Sequence, residues 1–215
     1  MANLLLPFTG LPPYGLSAFV VLLLYAVQSE MRFGPKARAI SAGPADRGST
    51  FAVSLSSAVP VLGFVLAMKT ETPAARALPL SWFGALPGMP AIAWVGVGVA
   101  ALGLLLRLWS VLVLRERYTR TLLTGTVHAL ERTGPYRFVR HPGYLGSLLC
   151  LNGIAAASGF WFTMIASVAA TSAAYAYRIR VEDAMLNARF GASYQSYRRE
   201  VSALIPFRSL PGRSK

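Results

Sequence analysis

HPGYLGSLLCLNGIAAASGFWFTMIASVAATSAAYAY, residues 141–177, contains no Lys, Arg, Asp or Glu. As one helix rising 1.5 Å per residue it would reach about 55 Å, nearly twice the hydrocarbon thickness of a bilayer. Two helices joined by a tight turn fit that depth, and Ser158-Gly159 is the natural turn. The stretch therefore reads as a hairpin of residues 142–157 and 160–177, with small residues such as Gly143, Gly146, Gly153, Ala169, Ala170 and Ala173 that let helices approach closely.

The rest of the chain supports lipid as its solvent. Of 215 residues 54% are hydrophobic and 13% charged, with 21 Lys and Arg against 8 Asp and Glu, and the mean hydropathy is +0.50. A soluble domain carries about 25% charged residues, and a disordered basic segment lacks such apolar content. Charge-free runs recur at residues 14–29, 51–68 and 77–106, the last giving a span over about residues 90–114 because its first half is too rich in Pro and Gly for one helix. The first is preceded by Pro12 and Pro13 and has no basic flank before it, which suits a span rather than a cleaved signal. Pro60, mid-way in the second, predicts a kink. With the hairpin this makes about five transmembrane helices in an all-α integral membrane protein.

Orientation follows from the basic residues. The first loop holds Arg32, Lys36, Arg38 and Arg47, the second only Lys69 and Arg76; residues 107–140 hold seven, the Ser158 turn none, and the chain from residue 178 eight. That alternation puts the N-terminus outside and the C-terminus in the cytoplasm. Because the basic residues fall in short stretches between uncharged runs, no nucleic-acid partner is expected. The single cysteine, Cys150, excludes an intrachain disulfide and reads as core filler. Two parts result: residues 1–119 with helices one to three, and residues 120–215 as a core of hairpin plus cytoplasmic C-terminal helices. The small-residue faces suit packing within one chain or between two copies, so the sequence sets no oligomeric state.

Both polar segments that flank the hairpin lie on one side. The first is HALERTGPYRFVRHPGYLG, residues 128–146. Gly134-Pro135 is a turn, and Pro142 belongs in the first turn of a helix with His141 at or beside its N-cap. A helix N-terminus flanked by Arg140 and His141 favours a carboxylate or phosphate; the alternative is that His141 only caps the helix and Arg140 snorkels to headgroups. The second segment is RIRVEDAMLNARFG, residues 178–191. Arg178 and Glu182 share a helix face, Glu182 and Asp183 are adjacent acids, and Gly191 is a helix stop; the alternative is an exposed pair between Arg178 and Glu182. Tyr194 and Tyr197 read as interfacial anchors, Arg107 beside Trp109 as snorkelling, and Asn152 as a polar group that needs a partner in lipid. His128 has no second histidine at ligand spacing, so no metal is expected.

GPYRFVRHPGYLG, followed some forty residues on by R-x-x-x-E-D-x-x-L-x-x-x-F-G-x-x-Y-x-x-Y and by Pro206-Phe207, closely resembles the isoprenylcysteine carboxyl methyltransferase family and its relatives, the membrane phospholipid N-methyltransferases. The resemblance covers about residues 128–207. It implies an S-adenosylmethionine-dependent methyltransferase whose cofactor sits in a cytoplasmic pocket capping the last two spans. Its partners would be membrane lipids and a lipophilic or lipid-linked acceptor, methylated on a carboxylate, amine or thiol. By the same resemblance His128, Leu130 and Tyr136 line the adenosine side, and His141 and the start of helix four, with Tyr144 and Gly146, hold the methionine carboxylate, with Arg140 beside them as a further cofactor-binding residue. Glu182 and Asp183 take the α-amino group, where the family usually has two glutamates. Arg178 orients the acceptor, and with Glu182 makes up the catalytic pair. S-adenosylmethionine needs donors for a carboxylate, acceptors for an ammonium and apolar walls for adenine, and all three residue types occur here. Methyl transfer depends on alignment and exclusion of water rather than on a metal or covalent nucleophile. The competing readings are an NADPH-dependent sterol-type or quinone-type membrane reductase, and a non-catalytic membrane protein that retains the fold.

Overall fold

The computed structural model describes residues 13–30, 46–70, 89–114 and 130–205. Its helices are α1 (Pro13–Glu30), α2 (Ser49–Thr70), α3 (Met89–Leu114), α4 (Pro142–Ala157), α5 (Trp161–Phe190) and α6 (Ala192–Glu200), with a 3-10 turn at Gly134–Arg137 before α4. Among the described residues the architecture is all-helical.

α4 has the limits the charge-free run suggested, and Ser158 and Gly159 form the turn after it, Gly159 at φ 75°. α5 departs from the expected arm of residues 160–177. It is 30 residues long and carries the acid pair on the same unbroken helix. No Gly or Pro interrupts it and alanines are frequent, so nothing in the backbone ends it before Gly191. There φ is 51°, a left-handed value that glycine adopts without strain, and the Gly191 amide donates to the Asn187 carbonyl.

The closest packing joins α3 to α4, not the two arms of the hairpin. A Cβ added to Gly103 would lie 2.5 Å from the Cys150 amide nitrogen and from the Gly146 carbonyl oxygen. One added to Gly153 would lie 2.5 Å from the Ala100 amide nitrogen and from the Gly96 carbonyl oxygen. Gly96 and Gly103 on α3, and Gly146 and Gly153 on α4, are each seven apart, so they form matched rows where the backbones touch. This tightest contact crosses the boundary at residues 119 and 120. α2 packs along α5, and α1 covers α3 and α4.

Polar groups inside the bundle find one another. The Asn152 amide donates to Thr171 Oγ1 at 3.1 Å and its Oδ1 accepts from Ser167 Oγ at 2.8 Å, which joins α4 to α5. Arg107 does not snorkel. It is buried, donates from Nη1 to Ser147 Oγ at 2.7 Å and lies 5.2 Å from the centroid of the Tyr25 ring. The small residues of the α3 to α4 contact bring Ser147 within its reach, and α1 lays Tyr25 over it.

The distribution of side chains is inverted relative to a water-soluble protein. Ala18, Ala93, Ala100, Ser110, Ser147, Ser167 and Thr171 are buried, while Leu23, Leu24, Phe51, Leu55, Trp94, Leu102, Leu105 and Ile165 face outward. Small and hydroxylated residues inside with large apolar ones outside is the arrangement lipid favours. Among the described residues Ala91–Leu114 is long and apolar enough to cross a membrane, and Ser17–Gln28, Ser49–Val65 and Pro142–Ala157 are shorter apolar helices.

Candidate functional site

Gly191 reverses the chain so that α6 folds back beside the last turns of α5. The segment after α6 then crosses the start of α4, where the Arg140 amide donates to the Ser202 carbonyl at 2.9 Å and the His141 amide to the Ala203 carbonyl at 3.1 Å. These backbone bonds fix Arg140 and His141 opposite Glu182 and Asp183.

His141 is the N-cap of α4 but makes no side-chain cap bond. Its ring faces α5 instead: Nε2 is 2.9 Å from Asp183 Oδ1 and Nδ1 is 3.4 Å from Glu182 Oε2. Arg140 does not snorkel either; Nη1 donates to Asp183 Oδ2 at 3.2 Å and to the Tyr194 hydroxyl at 3.3 Å. The anions that face Arg140 and His141 are thus the chain's own carboxylates. Tyr194 donates its hydroxyl proton to Asp183 Oδ1, and Arg198 Nε stands 3.7 Å from Asp183 Oδ2. Tyr194 and Tyr197 are both buried rather than interfacial, because the turn at Gly191 directs α6 onto α5.

Electrostatics follow from this geometry. Burial would push the His141 imidazole down, but the hydrogen bond to Asp183, the contact with Glu182 and both negative charges hold it up to about 9. Burial would raise Asp183; the bonds from His141 and Tyr194 and the positive charges of His141 and Arg140 hold it down to about 2. Glu182 is lowered as well, burial being outweighed first by His141 and then by Tyr144 and Arg178. Near neutral pH two cations, Arg140 and His141, thus meet two carboxylates.

The two acids differ in what they have left to give. Asp183 is taken up by His141, Arg140 and Tyr194. Glu182 Oε2 is buried with no hydrogen-bond partner among the described residues, and so is Arg140 Nε. Buried acceptors and donors left unmade are costly, so each of these two atoms can take a further polar contact.

Arg178 does not form the exposed pair with Glu182. It is buried, donates from Nη1 to Asp46 Oδ1 at 2.6 Å, Ser49 Oγ at 2.8 Å and Thr50 Oγ1 at 2.6 Å, and from Nε to the Tyr144 hydroxyl at 3.0 Å. Tyr144 stacks on His141 with ring centroids 5.5 Å apart and planes 6° from parallel. Asp46, one of only eight acids, is the residue sequence reasoning missed. Its signal was available: DRGST directly before an apolar helix is a helix-start pattern, and Asp46 Oδ2 accepts the Thr50 amide at 3.0 Å.

The remaining expected residues are placed less centrally. Tyr136 lies in the 3-10 turn, its hydroxyl 3.5 Å from the Ser110 carbonyl and its own carbonyl accepting from the Tyr197 hydroxyl. Leu130 is half-buried before that turn. Gly146 faces Gly103 and Arg107 of α3, away from the acid pair, because its missing side chain is what admits the α3 backbone. His128 lies outside the described residues.

Residues 91–193 match the family described as Phospholipid methyltransferase. The protein-S-isoprenylcysteine O-methyltransferase of Schizosaccharomyces pombe is 33% identical over 79 residues, covering 37% of this chain and 34% of its own length. That of Saccharomyces cerevisiae is 30% identical over 123 residues, 46% of this chain and 48% of the relative. The cobalt-zinc-cadmium resistance protein CzcN of Cupriavidus metallidurans is 31% identical over 124 residues, 58% of this chain and 52% of the relative. The chain thus spans about a third to a half of the length of these curated relatives. The solved structure of the eukaryotic intramembrane Ras methyltransferase, an isoprenylcysteine carboxyl methyltransferase, aligns with a TM-score of 0.60 at 22% identity over 92% of this chain and 69% of that one, a likeness of fold. In part of its sequence the chain is similar to protein-S-isoprenylcysteine O-methyltransferases, and in fold it is similar to the solved intramembrane methyltransferase.

Proposed function

We propose that the protein is an integral membrane methyltransferase that uses S-adenosylmethionine and methylates a lipophilic or lipid-linked acceptor. The observation that carries this reading is the half-buried, anionic Glu182, whose buried Oε2 lies 3.4 Å from His141 Nδ1 and lacks a hydrogen-bond partner among the described residues, next to a buried Arg140 Nε that also lacks one. An amino-acid zwitterion supplies an ammonium for the first and a carboxylate for the second. In this arrangement Glu182 receives the α-ammonium and Arg140 the carboxylate, while Asp183 holds His141, Arg140 and Tyr194 in position. His141 reaches the cofactor through the acids it orders, and Tyr144 packs against it. Leu130 and Tyr136, with His128, are assigned to the adenosine side by the family motif alone. When bound, the cofactor contributes an electrophilic methyl group. The chain's own part is to fix its orientation, bring the acceptor into line and exclude water. Arg178, a planar donor held rigidly beside Tyr144, suits the orientation of an acceptor that is already ionised, such as a carboxylate.

The topology proposed with this function is five spans, N-terminus outside and C-terminus cytoplasmic. α5 reaches about 45 Å at 1.5 Å per residue against a hydrocarbon thickness of about 30 Å. Its last turns, with Glu182 and Asp183, then stand clear of the bilayer in a cytoplasmic pocket capping α4 and α5. Thermal unfolding of the detergent-purified protein with S-adenosylhomocysteine and, separately, with NADPH tests the reading, since a ligand well above its Kd stabilises the folded state. Stabilisation by S-adenosylhomocysteine alone is expected. Stabilisation by NADPH alone would replace the reading with a reductase, and by neither would leave a non-catalytic membrane protein.

A further inference from the structure

Arg178 and Glu182 are four residues apart on α5, the spacing at which arginine and glutamate on one helix pair readily. Yet Glu182 Oε2 has no hydrogen-bond partner among the described residues. The Nη1 end of the Arg178 guanidinium points instead to Asp46, Ser49 and Thr50 at the start of α2. Asp46 is fully buried and is itself held by Ser49 Oγ at 3.1 Å, by the Thr50 amide at 3.0 Å and by Thr50 Oγ1 at 2.6 Å. The segment before α2 is also tied to α5, for the Tyr177 hydroxyl donates to the Arg47 carbonyl at 2.7 Å.

We propose that Asp46 is a positioning residue for the ligand site: by drawing Arg178 onto the start of α2 it keeps that guanidinium off Glu182 and so preserves the Glu182 carboxylate for a cationic ligand group. Without the Asp46 charge, Arg178 is a buried cation that already feels the charge of Glu182, the carboxylate one turn along its own helix. Burial makes that exchange of partners favourable, because a buried guanidinium left without a counter-ion is costly. Glu182, which already faces His141, would then hold a second internal cation, and an incoming ammonium would have to displace a guanidinium. The start of α2, in the half of the chain the family motifs do not reach, becomes part of the site. The proposal rests on the methyltransferase reading only for the choice of ligand.

Asp46→Asn is the informative change, since asparagine still accepts bonds from the start of α2 and is as good a helix cap as aspartate. S-adenosylhomocysteine affinity is measured by calorimetry for the wild type, Asp46→Asn, Arg178→Gln and the double variant. Asp46→Asn is expected to cost at least about fivefold in the wild-type background and less than about twofold when added to Arg178→Gln, because its effect travels through Arg178. Unchanged affinity in Asp46→Asn, or an equal loss in both backgrounds, overturns the proposal.

The second readout needs no ligand. The chain has two histidines, so the ring NMR titration of His141 is separable from that of His128. His141 is faced by Glu182 and Asp183 from α5 and by Arg140 and Tyr144 from its own segment, with Tyr194 and Arg198 of α6 beyond Asp183. Arg178 moving onto Glu182 lowers the His141 midpoint in Asp46→Asn and not in the double variant; an unmoved midpoint overturns the proposal. If S-adenosylhomocysteine binds no form of the protein, the methyltransferase reading falls and this titration still decides the role of Asp46. Should Asp46→Asn fail to accumulate, Ser49→Ala with Thr50→Val enters the same cycle, with a smaller change in the same direction expected and no change counting against the proposal.

Discussion

Along α4, the face that carries Gly146 and Gly153 meets α3 backbone against backbone, whereas the residue that precedes the helix, His141, meets α5 through charged side chains. The first contact works by absence. Its glycines leave no room for a single added carbon, and its strength is dispersion between closely fitted surfaces, which lipid does not weaken. The second works by pairing, and it is incomplete, since Glu182 Oε2 and Arg140 Nε lack hydrogen-bond partners among the described residues. The α3 to α4 contact is close backbone packing, and the cluster at the start of α4 is the proposed ligand site.

The severest way to break the comparison is Gly103→Leu. Overpacking an ordinary core costs about 1–3 kcal/mol, but here the added side chain would meet backbone atoms of α4 at 2.5 Å, with no flexible group to give way. Little folded protein is expected after detergent extraction, as read by size-exclusion profile and thermal unfolding; a normal profile would show that the two helices separate at small cost.

The acid pair sharpens the comparison inside the cluster. Asp183→Asn removes the common partner of His141, Arg140 and Tyr194 and is expected to lose about 3–5 kcal/mol, the usual cost of breaking a buried ion pair. Glu182→Gln, its neighbour, should lower the melting temperature far less and weaken S-adenosylhomocysteine by about tenfold or more, equivalent to about 1.4 kcal/mol. Equal effects of the two on stability and on ligand binding would erase the distinction drawn between them.

Solution pH tests the cluster without mutation. His141 is raised in the folded protein, so its stabilising contribution is full below the ordinary imidazole value of about 6.5 and is lost as pH rises through about 9. Asp183 is depressed, so its contribution is present above the ordinary carboxylate value of about 3.9 and is lost as pH falls through about 2. The melting temperature of the wild type should therefore decline between pH 7 and 9.5 by more than that of His141→Gln; parallel declines would mean that His141 is not the group responsible.

The smallest effect is expected at Asn152→Leu. It removes the two bonds to Ser167 and Thr171, and interhelical hydrogen bonds in membranes average about 0.6 kcal/mol, partly because Thr171 Oγ1 also bonds the Ser167 carbonyl of its own helix. A loss several times larger, by thermal unfolding, would mean that the α4 to α5 contact depends on this polar group more than on packing.

The sequence by itself determined the parts that local chemistry specifies. A charge-free run of fixed length gave α4 and its turn, the scarcity of charge pointed to lipid, and the spaced motifs around His141 and the acid pair gave the similarity to isoprenylcysteine methyltransferases and the residues of the cluster. These readings hold because helix length, burial of charge and helix stops are set by a few consecutive residues. What only the tertiary structure decided concerns partners distant in the chain. Gly146 and Gly153 could have faced α5, and the close approach of α3 decides otherwise. Tyr194 became a buried donor to Asp183 because Gly191 turns the chain back, an outcome that the spacing of two tyrosines does not encode. Arg178 could have paired with Glu182 four residues along its own helix, as sequence spacing suggests. It is instead claimed by Asp46, 132 positions away, since a buried guanidinium takes whichever carboxylate packing brings to it, and sequence distance places no limit on that choice.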